Sequence, residues 1–266
     1  MVERGVAIIC FCLLAVSAFA QAQATQQKPY EPKSGQPGKD VVWVPTSQAL
    51  VDKMLDIAKV TAQDYVIDLG SGDGRTVIAA AKRGARAMGI EYNPDMVELS
   101  KRNAEEAGVK ATFVKADLFE SDFSQATVIT MFLLPEINMR LRPKILDLKP
   151  GTRIVSNSFT MEDWEDDETE TISGDCTSWC TAHMWIVPAK VEGTWRLPQG
   201  ELTLTQKFQK IYGTLGSANI NNGMLRGDEI TFTVGNVKYT GRVNGTSMQG
   251  SIAGATNGSW SATRAR

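Results

Sequence analysis

The sequence predicts an α/β fold with a mostly parallel sheet, followed by a smaller domain built from antiparallel strands. Between residues 65 and 159, short apolar runs rich in β-branched residues alternate with segments of helical periodicity. This alternation is typical of parallel strands joined by crossover helices. After Lys190 no helical stretch remains, and glycines separate short segments of alternating polarity. That pattern indicates an antiparallel meander curled into a small barrel or sandwich.

The composition is that of an ordinary globular protein, and it restricts the possible partners. The chain has 266 residues, of which 42% are hydrophobic and 22% charged, and its formal net charge is −2. This length suffices for one large or two modest hydrophobic cores. A near-neutral chain without an extended basic cluster argues against a nucleic-acid partner, because a surface that binds nucleic acid is normally basic.

Residues 1–20 are predicted to be a targeting segment outside the fold. Val6–Ala20 is an apolar run preceded by Arg4 and closed by Ala18-Phe-Ala20, a small-x-small cleavage pattern. The run is short for a membrane span. We therefore expect a cleavable signal peptide and an exported, periplasmic protein. The alternative is an uncleaved membrane anchor, since the region before the run carries one acidic residue against one basic residue.

The first domain is predicted over residues 41–189, after a linker. Residues 21–40 are polar and rich in proline, which predicts a disordered linker. Residues 47–60 carry apolar side chains at helical spacing, with Thr46 or Ser47 as the N-cap. Further helices are expected after the first, second and fourth strands, over residues 75–83, 94–107 and 136–146.

The stretch Tyr65–Arg75 is the part of the chain around which the first domain is organised. Tyr65–Leu69 is typical of a buried parallel strand, and Gly70, Gly72 and Gly74 lead from it into a helix. Glycine lets the backbone turn sharply and lets a ligand approach without meeting a Cβ atom. A strand, a glycine turn and a helix N-terminus together form the corner of an α/β sheet that accepts phosphate or nucleotide groups.

Acidic residues near this corner favour one class of nucleotide ligand. A dinucleotide fold prefers Gly-x-Gly-x-x-Gly, whereas this chain has Gly-x-Gly-x-Gly with Asp68 and Asp73 beside it. Two carboxylates would repel a pyrophosphate, but they suit the cationic amino-acid end of S-adenosylmethionine. The second strand ends at Glu91, a position that normally binds ribose hydroxyls. The third strand ends at Asp117 and Leu118, where adenine usually lies.

Residues from about 43 to 160 resemble the class I, seven-stranded S-adenosylmethionine-dependent methyltransferases, which have a Rossmann-like sheet. The run Asp-Leu-Gly-Ser-Gly-Asp-Gly-Arg, then Val-Ile-Ala-Ala-Ala-Lys and Gly-Ile-Glu-Tyr-Asn-Pro, is similar to one branch of them. That branch holds the small membrane-tethered lysine methyltransferases of the ATP synthase c subunit and the adenine nucleotide translocase, and their bacterial relatives. The resemblance implies S-adenosylmethionine as the cofactor. The cofactor-binding residues that it implies are Asp68, Gly70, Ser71, Gly72, Asp73, Gly74, Glu91, Asp117 and Leu118.

The resemblance also implies that the loop after the fourth strand holds the methyl acceptor, with Leu134, Pro135 and Glu136 as candidate residues. This loop lacks the Asn-Pro-Pro-Tyr or Asp-Pro-Pro-Tyr motif of many amine- and glutamine-directed members, which argues against DNA amino groups and glutamine as acceptors. Glu136 either orients an incoming lysine amine or favours the dipole of its own helix. Residues 44–46 either fold over the cofactor site, as in the resembled branch, or simply lead into the first helix.

Cysteine spacing and one acidic run each allow two interpretations. Cys176 and Cys180 predict a disulfide that closes a turn or hairpin in an oxidising compartment. The alternative is a zinc site in which both cysteines and the nearby His183 are ligands, but a fourth ligand is missing and we expect no metal. Residues 162–170 contain seven acids in nine positions. They form either a landing surface for a basic substrate or a solvated loop.

The leading functional prediction is methyl transfer to a protein lysine amine by a periplasmic or membrane-proximal enzyme. A small amine or hydroxyl compound is the alternative acceptor. A third possibility is an exported, non-catalytic binding protein whose β-domain recognises a partner. That domain is predicted over residues 190–266, with Trp195 and Trp260 near its two ends as core residues. The sequence leaves the oligomeric state open.

Overall fold

The computed structural model describes residues 30–254 and 257–265. The predicted signal peptide and residues 21–29 of the predicted linker lie outside this part of the chain. No helix among the described residues is long and apolar enough to cross a membrane.

The first domain contains seven strands and four helices in the described residues. In chain order they are α1 (Gln48–Ile57), β1 (Tyr65–Leu69), α2 (Arg75–Lys82), β2 (Arg86–Glu91), α3 (Pro94–Glu106), β3 (Thr112–Lys115), β4 (Val128–Met131), α4 (Pro135–Leu146), β5 (Arg153–Asn157), β6 (Glu168–Thr171) and β7 (Thr181–Ile186). They form one sheet in the order β3-β2-β1-β4-β5-β7-β6. The predicted Rossmann-like, seven-stranded sheet is confirmed.

Strand direction brings the functional residues to one edge of the sheet. β1 to β5 pair with one another in parallel, and β7 is antiparallel to both β5 and β6. β6 therefore runs in the same direction as β1 to β5. The carboxyl ends of all six strands, and the loops that follow them, lie at the same edge, which is where open α/β sheets bind ligands.

The central strands are buried on both faces, which explains their continuous apolar sequences. Along β1, Val66 belongs to the core under α1 to α3, whereas Ile67 belongs to the core on the opposite face. On that second face Trp164 and Trp185 are fully buried, with their ring centroids 6.2 Å apart. Ser47, the second of the two predicted candidates, caps α1 by accepting a hydrogen bond from the backbone N–H of Leu50.

The second domain is a closed, eight-stranded antiparallel barrel, so the barrel alternative holds over the sandwich. Its strands close in the order β10-β11-β12-β13-β14-β15-β8-β9, and closure leaves no strand edge exposed. Trp195 and Trp260 are buried in its core, as predicted. The strands are β8 (Gly193–Leu197), β9 (Gly200–Lys207), β10 (Lys210–Leu215), β11 (Ala218–Arg226), β12 (Glu229–Val234), β13 (Val237–Asn244), β14 (Ser247–Ala253) and β15 (Gly258–Arg264).

The barrel packs on the first domain through the turn between β9 and β10. The ring of Phe208 stacks on Trp164 with centroids 5.7 Å apart, and Nε2 of Gln209 donates to the backbone oxygen of Glu165 at 2.8 Å. Glu165 also forms an ion pair with Lys210. The turn of the barrel thereby holds the segment that follows β5.

Two expectations differ from the structure. The acidic run 162–170 is not simply a loop, because β6 begins inside it and forms an edge strand beyond β7. Several of its acids pair with basic groups of this chain, as Asp163 does with Arg142 and Asp166 with His183. The described part of the predicted linker is ordered, because the backbones of Gly35 and Gln36 hydrogen-bond to Trp43.

Candidate cofactor and acceptor site

A cavity of about 240 Å³ opens at the carboxyl edge of the sheet. Its floor is the turn after β1, its sides are the ends of β2, β3 and β4, and its cover is formed by residues 36–46. We call residues 36–46 the covering segment. The segment includes residues 44–46, so these residues do lie over the site and also lead into α1.

The three glycines of the turn differ in whether they line the cavity or allow close packing between helices. Gly70, Gly72 and Gly74 all have positive φ, at 77°, 55° and 82°, a region that side chains with a Cβ rarely adopt. A Cβ on Gly72 would lie 2.7 Å from Nε1 of Trp43 in the covering segment. Gly74 does not line the cavity, and a Cβ there would lie 2.9 Å from Cβ of Ser100 on α3. Gly70 and Gly72 therefore shape the cavity, whereas Gly74 allows α2 and α3 to pack.

Glu91 fixes the turn and the start of the next helix at once. Its Oε2 accepts from the backbone N–H of Gly72 at 2.9 Å, and its Oε1 accepts from that of Asn93 at 2.8 Å. Each carboxylate oxygen keeps further acceptor capacity, which two hydroxyl groups of a ribose can use. The neighbouring Ser71 also lines the cavity, and its hydroxyl lies against Gly89 of β2.

Asp68 is the most strongly perturbed titrating group of the site. It is only 6% exposed, and Oγ1 of Thr130 donates to its Oδ1 at 2.6 Å. Burial raises the pKa of Asp68 to about 7, and the nearby carboxylates of Asp73 and Glu91 contribute to the rise, against the effect of the Thr130 hydrogen bond. A cationic group beside Asp68 would stabilise the ionised carboxylate that burial and these neighbours disfavour.

Asp73 lines the cavity but already has a cationic partner. Nη2 of Arg75 lies 2.5 Å from its Oδ2, and Nε of Arg75 donates to its Oδ1 at 3.0 Å. Nη1 of the same arginine donates to the backbone oxygen of Thr46 at 2.7 Å. Arg75, which was not among the predicted site residues, therefore ties the glycine turn to the covering segment.

Asp117 and Leu118 also line the cavity, and Asp117 is likewise paired within the chain. Nζ of Lys39 lies 2.5 Å from its Oδ2 and 4.8 Å from the centre of the Tyr92 ring. The hydrogen bond from Lys39, with that from the backbone of Phe119, lowers the pKa of Asp117, and the same contact with Asp117 raises the pKa of Lys39. The covering segment is thus fastened at the position where adenine is expected.

Of the three candidate acceptor residues, one lines the cavity and two do not. Leu134 lines the cavity together with Phe132 and Leu133. Pro135 is the first residue of α4, and Glu136 lies exposed in the first turn of that helix. Neither Pro135 nor Glu136 lines the cavity, so the position of Glu136 agrees with the helix-dipole interpretation and not with contact to the acceptor.

Three aromatic residues form the far wall of the cavity, and we call them the aromatic wall. Phe132 follows β4, Phe159 follows β5, and Trp179 lies in the loop between β6 and β7. The ring centroid of Phe132 is 5.9 Å from that of Phe159 and 6.0 Å from that of Trp179. Phe132 begins the loop that was predicted to hold the acceptor, whereas no sequence pattern indicated the other two.

Cys176 and Cys180 form a disulfide, which confirms that prediction. Their sulfurs are therefore not thiolate ligands for a metal. In the part of the chain that the structure describes, no cluster of three or more His, Cys, Asp or Glu side chains could hold a metal ion.

The residues around the cavity fit S-adenosylmethionine. Asp68 is a buried carboxyl whose ionised form has no cationic partner among the described residues, and the cofactor carries two positive groups, an ammonium and a sulfonium. Glu91 offers acceptors for ribose hydroxyls at the end of β2. Ile90 and Leu118 give the cavity apolar surface on the side of Asp117, as an adenine ring requires.

Comparison with known proteins agrees with this geometry. The family of the ANTKMT methyltransferase domain matches residues 68–168, a range that includes Asp68 and Phe159. A protein-lysine N-methyltransferase of Saccharolobus islandicus is 47% identical over 133 residues, which cover 48% of this chain and 83% of that protein. The lysine N-methyltransferase of the ATP synthase c subunit from Mus musculus is 40% identical over 117 residues, which cover 43% of this chain. The match spans about half (47%) of the mouse protein.

One solved structure matches in both sequence and fold. It is described as an RNA methyltransferase from Salinibacter ruber in complex with S-adenosyl-L-homocysteine. It is 46% identical, with a TM-score of 0.53, and the match covers 56% of this chain and 96% of that one. By its sequence, its fold and its cofactor corner, the chain belongs to the S-adenosylmethionine-dependent methyltransferases, and its residues 68–168 match the ANTKMT methyltransferase domain.

Proposed function

We propose that this methyltransferase modifies the side-chain amine of lysine in a protein. The observation that carries the proposal is the apolar acceptor side of the cavity, built from Phe132, Leu133 and Leu134. An apolar wall suits a flexible alkyl amine better than a planar amide or base edge, which needs polar partners. The similarity to a protein-lysine N-methyltransferase of Saccharolobus islandicus supports the same acceptor.

The chain's own residues supply binding and alignment for the reaction. S-adenosylmethionine supplies a methyl group on a sulfonium sulfur, which leaves as a neutral thioether. Glu91 would hold the ribose, Asp68 the cationic amino-acid end, and Leu118 the adenine. Asp117 can contact the adenine only if it shares or releases Lys39. The protein therefore contributes mainly through proximity and the exclusion of water.

The acceptor must be a neutral amine at the moment of methyl transfer. A lysine ammonium first loses a proton to water, and apolar surroundings favour this because desolvation lowers the pKa of an amine. The nitrogen lone pair then forms the N–C bond while the C–S bond breaks, and that bonding pair remains on sulfur. Exposed Glu136 is not needed as a base in this scheme.

RNA is the competing acceptor, since the Salinibacter ruber relative is described as an RNA methyltransferase. The net charge of −2 argues against it. A small amine or hydroxyl compound also remains an alternative acceptor.

The test uses S-adenosylmethionine with a deuterated methyl group. The chain is incubated with cell protein and, separately, with total RNA, and each product is digested and analysed by mass spectrometry. We expect deuterated methyl groups on lysine, and a much lower yield with the Glu91→Ala variant when the cofactor is limiting. Label on nucleosides alone would replace the proposal by RNA methylation, and label on neither polymer would point to a small acceptor.

The location of the enzyme is a separate proposal that rests on residues 1–20 alone. We propose that the protein is exported, or held at the membrane by an uncleaved segment, close to its substrate. The mass of the N-terminal peptide in fractionated cells tests this. A chain that begins at Met1 in the soluble cytosolic fraction would contradict both alternatives.

A further inference from the structure

The loop between β6 and β7 reaches the cavity because of the direction of β6. Since β6 ends at the same edge as β1 to β5, residues 172–180 lie at the edge of the sheet that carries the cofactor corner, and Trp179 of this loop lines the cavity. The backbone N–H of Ile172 donates to the oxygen of Cys180 at 3.0 Å and closes the base of the loop. The disulfide between Cys176 and Cys180 closes its tip, with Cα atoms 5.8 Å apart. Trp179, the residue before Cys180, is therefore held by two constraints.

The backbone is unusual at two points beside the aromatic wall. Trp179 has φ 53° and Ser158 has φ 59°, although neither residue is glycine. Across Ser158, the backbone N–H of Phe159 donates to the oxygen of Asn157 at 2.7 Å, which makes a tight three-residue turn. Left-handed backbone at non-glycine residues is unfavourable and tends to occur at functional sites. Here it aims two aromatic rings at the cavity.

Exposed apolar side chains are concentrated around the aromatic wall. Trp179 is 46% exposed and Leu134 is 41% exposed. Among the described residues six large apolar side chains are exposed, and four of them line this cavity: Val42, Tyr92, Leu134 and Trp179. Exposed apolar surface that is concentrated around one cavity indicates a binding surface.

The rings of the wall have no cationic partner in the described residues. Six Lys or Arg groups lie over aromatic rings there, on Tyr65, Tyr92, Phe119, Phe123, Trp195 and Phe208. In the same part of the chain, none lies over Phe132, Phe159 or Trp179. Aromatic faces attract cations, and quaternary ammonium groups are recognised by clusters of such faces.

We propose that Phe132, Phe159 and Trp179 form a subsite for the alkylammonium end of the acceptor, and that the Cys176–Cys180 disulfide positions Trp179 in it. The subsite takes a lysine side chain as an ammonium or in its methylated form, and the amine loses its proton to water when it leaves the rings for the next transfer. This inference rests on the proposed function and names the surface that recognises the acceptor. Trp179 contacts the substrate, whereas the two cysteines are positioning residues.

The test measures binding of Nα-acetyl-Nε-trimethyl-lysine amide to the full chain saturated with S-adenosylhomocysteine, by nuclear magnetic resonance of the probe's methyl groups. The neutral control is the isostere with a tert-butyl group in place of trimethylammonium. The variants are Trp179→Ala, Trp179→Phe and the double variant Cys176→Ser/Cys180→Ser. Tyr212→Ala is the matched control, because Tyr212 is 54% exposed on the barrel.

We expect Trp179→Ala to weaken binding of the cationic probe about tenfold, and Trp179→Phe to restore part of it. The tert-butyl isostere should bind the wild type about tenfold more weakly than the cation. The double cysteine variant should lose affinity for the probe, whereas Tyr212→Ala should not. Affinity for S-adenosylhomocysteine should stay within about twofold in every variant, which shows that each one is folded.

Equal binding of the probe by wild type and Trp179→Ala, or equal binding of cation and isostere, overturns the subsite. Full affinity in the double cysteine variant overturns the role of the disulfide. If lysine is methylated but Trp179→Ala leaves KM for the protein acceptor unchanged, the subsite fails and the proposed function stands. If no lysine is methylated but binding of the cation requires Trp179, the proposed function fails and the subsite stands.

Discussion

Replacement of Asp68 by Asn should stabilise the fold at neutral and alkaline pH while it weakens cofactor binding. The carboxyl of Asp68 is buried beside Asp73 and Glu91, and these surroundings raise its pKa to about 7. An amide carries no charge and can still accept the hydrogen bond from Thr130. The variant therefore avoids the cost of an ionised, buried carboxylate, and it loses the group that attracts a cationic ligand.

The magnitude follows from proton linkage. An unfolded aspartate titrates near 3.8, so between about pH 4 and pH 7 the folded protein binds more protons than the unfolded chain. The free energy of unfolding therefore falls as the pH rises through this window. Above about pH 7 the contribution of Asp68 no longer changes with pH. About three pKa units at about 1.4 kcal/mol each give an upper limit of about 4 kcal/mol for the stabilisation by Asp68→Asn at pH 8. At pH 4 the difference should be close to zero.

The assay is thermal and urea unfolding of wild type and variant at one-unit steps from pH 4 to pH 9. Asp64→Asn is the control variant, and it is expected to lower the free energy of unfolding where Asp68→Asn raises it. Burial raises the pKa of Asp64, but hydrogen bonds from Thr61 and Thr127 and the ion pair with Arg153 outweigh this and lower it. Its stabilising contribution is present above about pH 4 and is lost as the pH falls through the lowered pKa, so Asp64→Asn should cost about 3 kcal/mol at pH 8.

A difference between wild type and Asp68→Asn that does not change with pH would refute this reasoning. It would mean that Asp68 titrates in the folded protein as it does in the unfolded chain. In the same preparations, affinity for S-adenosylmethionine should fall about ten- to a hundredfold in Asp68→Asn. Unchanged affinity would exclude Asp68 from the cofactor site.

Two further substitutions test the turn and the packing of the barrel. Gly72→Ala should weaken cofactor binding, and it should lower the free energy of unfolding more than Gly108→Ala does. Both glycines have positive φ, so each alanine should cost at least about 1 kcal/mol of backbone strain in thermal unfolding, but only a Cβ on Gly72 meets Trp43. Equal losses of stability would show that Trp43 moves freely. Trp164→Ala should cost about 3–5 kcal/mol in urea unfolding, because this fully buried ring stacks on Phe208 of the barrel, and a loss below about 1 kcal/mol would contradict the packing described.

The cofactor corner could be predicted from the sequence because its determinants are local. Strand β1, the positive-φ glycines and the acid at the end of β2 lie within 27 consecutive residues, 65–91, and each follows a known rule of α/β sheets. Closure of the barrel was also foreseeable as one of two alternatives, since regular glycine turns separate strands of similar length. Arg75 was missed although it stands only two residues after Asp73.

The remaining site residues could not be predicted because distant parts of the chain bring them there. Lys39 pairs with Asp117 across 78 positions, and nothing in a proline-rich segment indicates such a partner. Trp179 reaches the cavity only because β6 forms within the acidic run and sets the direction of the loop that follows. Glu136 shows the converse, since a plausible catalytic acid at the right place in the sequence lies outside the cavity.

The cavity beneath residues 36–46 is expected to bind the cofactor, with Glu91 as the residue that holds the ribose. Titration calorimetry of the full chain with S-adenosylmethionine tests it most directly, with Glu91→Ala as the variant and Glu105→Ala, an exposed acid on α3, as the control. We predict binding by wild type and Glu105→Ala, and affinity about ten- to a hundredfold weaker in Glu91→Ala, because two hydroxyl contacts and the hold on Gly72 are lost. Equal affinity in all three proteins would place the cofactor elsewhere. No heat from folded wild type at millimolar cofactor would mean that this cavity does not bind S-adenosylmethionine.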